Sequence, residues 1–243
     1  MIDEKEENNV LLLGIDDAGR GPVLGPMILA GCILNKENEK QLKKLGVDDS
    51  KLLTRKKREK LVKVIKEKAI AYESLSVSPS EIDTGMGIGL NLNEVEALES
   101  ALIIKELIKK IKVDEIIKLK IIIDCPSVNT EAWKRTLLGY LEKEKIDTKF
   151  LSIDCRHKAD LDYPVVSAAS IIAKTTRDNE VEKLKKQIGK DFGSGYPADP
   201  KTIGFLKKYI NDPEIKKARI FRESWATYQN IKMNKGQSKL PDY

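Results

Sequence analysis

The sequence predicts an α/β fold with a helical C-terminal portion. Short apolar runs of strand length alternate with longer amphipathic stretches, two of the runs stop at an aspartate, and the last part of the chain is helical sequence punctuated by Gly and Pro. Residues 10–15 and 27–34 are apolar enough to be buried strands on either side of a glycine-rich turn. Residues 54–69 have helical spacing with Thr54 as the N-cap, and 71–77 reads as a third strand. Residues 91–112 repeat apolar positions at three and four spacing, the mark of a long helix. Residues 120–123 and 149–153 are compact apolar runs, each closed by an aspartate, and are expected to be parallel strands joined by a helix around 130–144. Pro164 opens another long helix that breaks at Gly189. A Gly/Pro-rich loop over 193–200 and further helices to about Ile231 follow, and no internal repeat is present.

A chain of 243 residues with 41% hydrophobic content can fill a real core. No run approaches the roughly 18 apolar residues a membrane helix needs, and the acidic start over residues 1–9 lacks the order of a signal peptide. A cytoplasmic protein without a membrane partner is expected, and a monomer. The cysteines Cys32, Cys125 and Cys155 have no CxxC spacing and no His cluster, which argues against zinc and against a disulfide framework. A Cys125–Cys155 bridge is geometrically conceivable but disfavoured in a reducing compartment. Lys and Arg number 44 against 38 acidic residues, a net charge of +6, which favours a polyanionic partner. Lysine-rich stretches such as 105–112 and 183–190 also read simply as solvated helix faces.

The densest chemical signal is Gly14-Ile15-Asp16-Asp17-Ala18-Gly19-Arg20-Gly21-Pro22-Val23-Leu24-Gly25-Pro26. Two carboxylates close a strand just before three glycines, so a potential cation site lies beside backbone that a ligand can approach closely. The spacing Gly19-x-Gly21-x-x-x-Gly25 has one residue too many for a dinucleotide fingerprint, Pro22 removes an amide donor, and no GxxxxGK[ST] loop occurs. A glycine hairpin with solvated aspartates is the plain alternative. Further acids stand at the strand ends, where open α/β sheets place their chemistry: Asp124, Asp154 and, a few residues on, Asp160. Oxygen ligands converging without Cys or His suit a hard ion such as Mg²⁺ or Mn²⁺. Taken singly, each aspartate also fits a turn or an N-cap.

The glycine-rich opening resembles the signature of the ribonuclease HII family, G-I-D-E-A-G-R-G-P. Further blocks match in order: Asp49-Ser50-Lys51-Leu52-Leu53, the start of an Asn-containing helix at 91–94, His157-Lys158-Ala159-Asp160 with the stretch from Tyr163 to Lys174 and Arg177-Asp178, and Gly193-Ser194-Gly195-Tyr196-Pro197. The wording of the third and last blocks resembles the archaeal branch. The resemblance implies a ribonuclease H-like mixed sheet flanked by helices, with residues 1–190 as catalytic domain, 191–232 as a C-terminal helical region and 233–243 as a flexible tail. It implies an endoribonuclease that hydrolyses the RNA strand of RNA/DNA hybrids and incises 5′ of ribonucleotides embedded in duplex DNA, with Asp16, Asp17, Asp124 and Asp160 as catalytic metal ligands for Mg²⁺ or Mn²⁺.

One departure stands out: Asp17 replaces the family's Glu, a ligand shorter by one methylene. Asp16 and Asp17 would also face opposite sides of an ideal strand, so both reach one centre only if the backbone twists or ends there. Asp154 sits more neatly at a strand end, but Asp160 alone lies inside a matched block. The mechanism implied is two-metal phosphodiester hydrolysis, in which no nucleophilic side chain is needed. The only histidine, His157, is open to a proton-carrying, substrate-contacting or structural role.

Selectivity for RNA must come from the 2′-hydroxyl. By resemblance Gly19, Arg20 and Gly21 read it together with Tyr196, and Ser50, Lys51, Asn93, Ser167, Lys174 and Arg177 are candidates for phosphate contact, Ser167 and Lys174 sharing a helix face. The C-terminal Gln237-x-x-Leu240-x-x-Tyr243 resembles the peptide by which replication enzymes dock on a sliding clamp, though it lacks a second aromatic; a plain disordered tail is the alternative. A non-catalytic hybrid-binding protein is the rival reading from another class, and a DNA-junction nuclease of the same superfold is a second.

Overall fold

The computed structural model describes residues 10–47, 53–112 and 118–237. It contains β1 (Val10–Ala18), β2 (Met27–Leu34), α1 (Lys36–Lys44), α2 (Arg55–Lys68), β3 (Ala71–Val77), α3 (Pro79–Gly87), α4 (Leu92–Ile108), β4 (Lys118–Asp124), α5 (Thr130–Lys143), β5 (Leu151–Arg156), α6 (Ala159–Asp162), α7 (Pro164–Ile188), α8 (Pro200–Tyr209), α9 (Pro213–Lys217) and α10 (Ala226–Gln237). The strands form one sheet in the order β3-β2-β1-β4-β5. β1 runs antiparallel to β2 and parallel to β4, and β4 runs parallel to β5 through the crossover helix α5, as the two aspartate-closed runs predict.

The sheet is covered on both faces, and its glycines show how closely. β2 is buried at every position and β1 at all but two, the pattern of central strands without a solvent side. A Cβ on Gly14 would stand 2.3 Å from the carbonyl oxygen of Val165, so only glycine lets the first turn of α7 rest on β1. Gly31, opposite Ile15 and therefore on the other face, would place its Cβ 2.6 Å from Ile103 and Leu107 of α4. Residues of even number in β1 thus face α7 and residues of odd number face α4. On the α7 side Leu12, Cys32, Leu34 and Ile122 share one core with Val165, Ala168, Ala169 and Ile172.

The chain divides into two compact units. The first comprises residues 1–18, 28–75 and 92–176 and holds the sheet; the second comprises 19–27, 76–91 and 177–243, so α7 contributes to both. The second unit has its own core, with Val23 and Leu24 of the glycine-rich segment packed among Phe192, Phe205, Leu206, Phe221 and Tyr228. The helices after residue 190 therefore share a core with the segment that follows β1.

Several elements depart from expectation. β1 continues through both aspartates to Ala18 because its ladder with β2 runs on to Ala18 and Ile28. Asp154 lies inside β5, where its carboxylate accepts from Arg156 Nε at 2.7 Å. α1 has a single buried residue, Leu42, too little for a periodic signal. α3 is signalled by Pro79 at its first position and by its capping box, Ser78 and Glu81, each side chain bonded to the other's backbone amide. α10 runs on to Gln237, past the boundary expected at 232. All three cysteines are free thiols, and burial pushes Cys32 and Cys155 up to about 12, which keeps them protonated. No helix among the described residues is long and apolar enough to cross a membrane.

Gly14→Ala should cost at least about 3 kcal/mol of stability, because the atoms it strikes are backbone. Gly139→Ala, on α5 with nothing within 4 Å of its new methyl, should stabilise by about 0.5–1 kcal/mol. Urea midpoints of the two variants read out both signs.

Candidate active site

Three carboxylates meet where the sheet core ends. Asp16 comes from β1, Asp124 is the last residue of β4, and Asp160 lies in α6, the short helix after β5; one carboxylate oxygen of each lies within 4.8 Å of the others. The parallel register aligns the C-terminal ends of β1 and β4, Ile15 facing Ile123, and so sets Asp16 and Asp124 side by side. Asp160 is brought in by α6, whose first amide, Ala159 N, donates to Asp124 Oδ1 at 3.0 Å. Lys158, held at φ 56, makes the turn into α6, and Ser167 Oγ of α7 donates to the Asp160 carbonyl at 2.5 Å. Asp124 is thus held by the helix that carries Asp160, and Asp160 by α7.

Electrostatically the cluster is costly to hold. Asp16 is 7% exposed and Asp160 1%. Burial raises the Asp16 carboxyl well above the usual carboxylate range, and the charges of Asp17 and Asp124 raise it further. A bound divalent cation reverses that penalty, and an all-oxygen set of carboxylates has the chemistry of a hard-ion site.

Asp17 stands on the other face of β1, as strand alternation requires, and is not one of the three mutually close carboxylates. It lines a small crevice with Glu96 and Ser100 of α4, Trp133 of α5 and Asp124. Glu96, 2% exposed, is a carboxylate the sequence reading missed. Its signal was an acid in register with Ser100, Ile103 and Leu107 on the stripe of α4 that faces the sheet. Asp154 is not one of the three mutually close carboxylates. His157 places Nδ1 3.1 Å from the Cys125 carbonyl oxygen, bracing the segment after Asp124.

The remaining sites divide by location. Asn93 opens α4, and its carbonyl accepts from Trp133 Nε1 at 2.9 Å. Lys174 is half-buried on α7, whereas Ser167, one face with it, is fully buried and its hydroxyl proton is used by Asp160. Ser50 and Lys51 lie outside the described residues, as do Leu240 and Tyr243.

Gly19, Arg20, Gly21, Arg177 and Tyr196 belong to the second unit. Gly19 has φ 89, and a Cβ there would strike Arg177 Nε at 2.2 Å, so this turn requires glycine twice over. Arg177 is 7% exposed; its Nη2 donates to Ser194 O at 3.2 Å and its guanidinium lies 5.0 Å from the centre of the Tyr196 ring. Tyr196 remains 39% exposed, with Gly21 beneath its ring edge. The loop that presents it is pinned by Asp199, which accepts from Ser194 N and Oγ at 2.7 and 2.8 Å, and by Thr202, which accepts from Gly195 N at 3.0 Å. Those bonds to Ser194 hold the Asp199 carboxyl at about 2.

A mixed sheet flanked by helices, with aspartates from two adjacent strands and the following short helix close enough to share a divalent ion, defines a metal-dependent nuclease of the ribonuclease H-like fold. The Ribonuclease HII profile matches residues 13–228. The chain belongs to the ribonuclease HII family, metal-dependent ribonucleases H that hydrolyse the RNA strand of RNA/DNA hybrids. It is 42% identical over 224 residues to a ribonuclease HII of Methanosarcina mazei, covering 92% of this chain and 97% of that one. The crystal structure of ribonuclease H2 from Pyrococcus horikoshii is 36% identical with a TM-score of 0.76, over 92% of this chain and 98% of that one. The ribonuclease HII solved in a PCNA:RNase HII complex from Archaeoglobus fulgidus is 37% identical with a TM-score of 0.74, over 90% and 96%. Membership sets aside the non-catalytic binder.

In metal-free protein the folded state holds the Asp16 proton more tightly than the unfolded chain does. Stability therefore falls as pH rises from the ordinary carboxylate range through the raised value, and the penalty persists above it. Asp16→Asn should raise the Tm at neutral pH in chelator and flatten this dependence, while Mn²⁺ raises the Tm of the native protein and not of the variant.

Proposed function

We propose that this protein cuts the RNA strand of RNA/DNA hybrids and nicks duplex DNA on the 5′ side of an embedded ribonucleotide, with Mg²⁺ or Mn²⁺ held by Asp16, Asp124 and Asp160. The observation that carries the reading is the meeting of those three carboxylates. Asp17 approaches from the opposite face of β1 and completes the set beside Asp124. Two bound ions would supply an activated water and stabilise the leaving 3′-oxygen. The chain's own part is to fix ligand directions, through α6 and the Ser167 bond, and to keep buried carboxylates together.

Ribonucleotide selectivity falls to the backbone of Gly19, Arg20 and Gly21, which glycine leaves open to a 2′-hydroxyl, and to the exposed Tyr196 ring, which would pack on the following deoxyribose. Arg177 acts by holding Tyr196 and Ser194 rather than by meeting phosphate. Asn93 and Lys174, with Ser50 and Lys51, remain for backbone phosphates, and Ser167 is structural. Cleavage of a labelled duplex containing one ribonucleotide tests the reading. A nick 5′ of the ribonucleotide is expected with Mg²⁺ or Mn²⁺ and none with chelator, and Asp124→Asn should slow it by at least about a hundredfold. Hybrid binding without cutting under either metal would refute it.

The C-terminal Gln237, Leu240 and Tyr243 are proposed to dock on a sliding clamp. The clamp complex of the Archaeoglobus relative supports this. Deleting residues 236–243 should abolish capture by immobilised clamp and leave cleavage of short duplexes intact; unchanged capture would count against it.

A further inference from the structure

The segment after β1 is held by a residue the catalytic reading does not use. Arg222 is fully buried, and its guanidinium spans the turn from within: Nη2 donates to Gly19 O at 2.6 Å, Nη1 to Arg20 O at 2.8 Å and Nε to Gly25 O at 3.0 Å. Its own backbone amide donates to Val23 O at 3.0 Å, Gly25 N donates to Ile220 O at 2.9 Å, and Trp225 Nε1 donates to Gly21 O at 3.3 Å. The guanidinium lies 4.9 Å from the centre of the Trp225 ring. The turn carrying Arg222 is itself fastened, since Asp83 of α3 accepts from Glu223 N at 2.8 Å and Ser224 N at 3.0 Å.

We infer that Arg222 is a positioning residue for ribonucleotide recognition, shaping the Gly19-Arg20-Gly21 backbone through its carbonyls. The inference rests on the reading of that loop as the element that meets the 2′-hydroxyl. Converging carbonyl dipoles repel one another, and a planar guanidinium with five fixed donors is the side chain that can satisfy several at once. In a trans peptide the C=O and the next N–H point in opposite directions, and no cis bond occurs among the described residues. With the Gly19 and Arg20 carbonyls turned to Arg222, the amides of Arg20 and Gly21 point away from it, at a half-exposed and an exposed residue. Arg222 thereby turns two successive N–H donors outward, the direction from which a ribose or phosphate oxygen must come. Pro22, which has no N–H, follows where Trp225 holds the Gly21 carbonyl.

The test uses the full chain with Arg222→Lys and Arg222→Met. Lysine keeps the charge but, as a single compact ammonium, cannot span the carbonyls. On the single-ribonucleotide duplex, Arg222→Lys should lower kcat by about a hundredfold, the cost of misplacing a binding element by an ångström, with KM changed less than about threefold and Mn²⁺ binding unaltered. Arg222→Met should be lower still. A purely structural role would instead lower the Tm and the active fraction together. Hydrogen exchange of the peptide containing residues 19–25 is the second readout and needs no activity: it should quicken in Arg222→Lys while sheet amides stay protected. Unchanged exchange, or native kcat in a folded Arg222→Lys, overturns the inference. Native protein that cuts neither substrate overturns the proposed function instead, and exchange still decides the role of Arg222.

Discussion

Like charges that must be held together dominate this structure. Asp16, Asp124 and Asp160 would separate if their backbones were free to move, because each ionised carboxylate raises the energy of the next and burial of Asp16 adds to the penalty. The fold opposes this with rigid elements. Parallel pairing fixes the ends of β1 and β4 in register, the Asp124 carboxylate receives the first amide of α6, and Ser167 secures the Asp160 carbonyl from α7. α7 in turn rests on β1 at a distance only Gly14 allows. A divalent ion bound there would relieve the repulsion that packing imposes, at a site preorganised by what surrounds it.

The second unit solves a different problem with similar means. A loop rich in glycine loses much conformational entropy on ordering, and neutral contacts alone hold it poorly. Here one buried cation, Arg222, and one indole, Trp225, gather its carbonyls, while Asp199, Thr202 and Arg177 shape the loop that presents Tyr196. On the proposed reading the aspartates chelate while the arginines shape backbone, a division consistent with Arg177 and Arg222 being buried.

Much of this was legible in the sequence because it rests on local rules. The apolar runs mark the five strands, Thr54 and Pro164 mark their helix starts, and strand alternation alone sets Asp16 and Asp17 on opposite faces. What was not legible depends on contacts distant in sequence. Glu96 is an ordinary surface residue type whose burial follows from the packing of α4 on the sheet, and no local rule signals that the buried Ser167 hydroxyl donates to the Asp160 carbonyl. Arg222 lies about two hundred residues from the loop it holds, and no spacing rule connects them. Its burial and three bonded nitrogens are visible only in three dimensions. Asp160 was singled out by motif context rather than by strand position, since α6 is too short to announce itself.

If three carboxylates from β1, β4 and α6 form one divalent-metal centre, anomalous scattering from crystals equilibrated with Mn²⁺ will locate it. A peak is expected about 2.0–2.6 Å from an oxygen of Asp16, Asp124 and Asp160 together, the span of divalent metal–oxygen bonds. Metal bound elsewhere with Asp160 turned out of its coordination sphere, or no peak at saturating Mn²⁺, would contradict it.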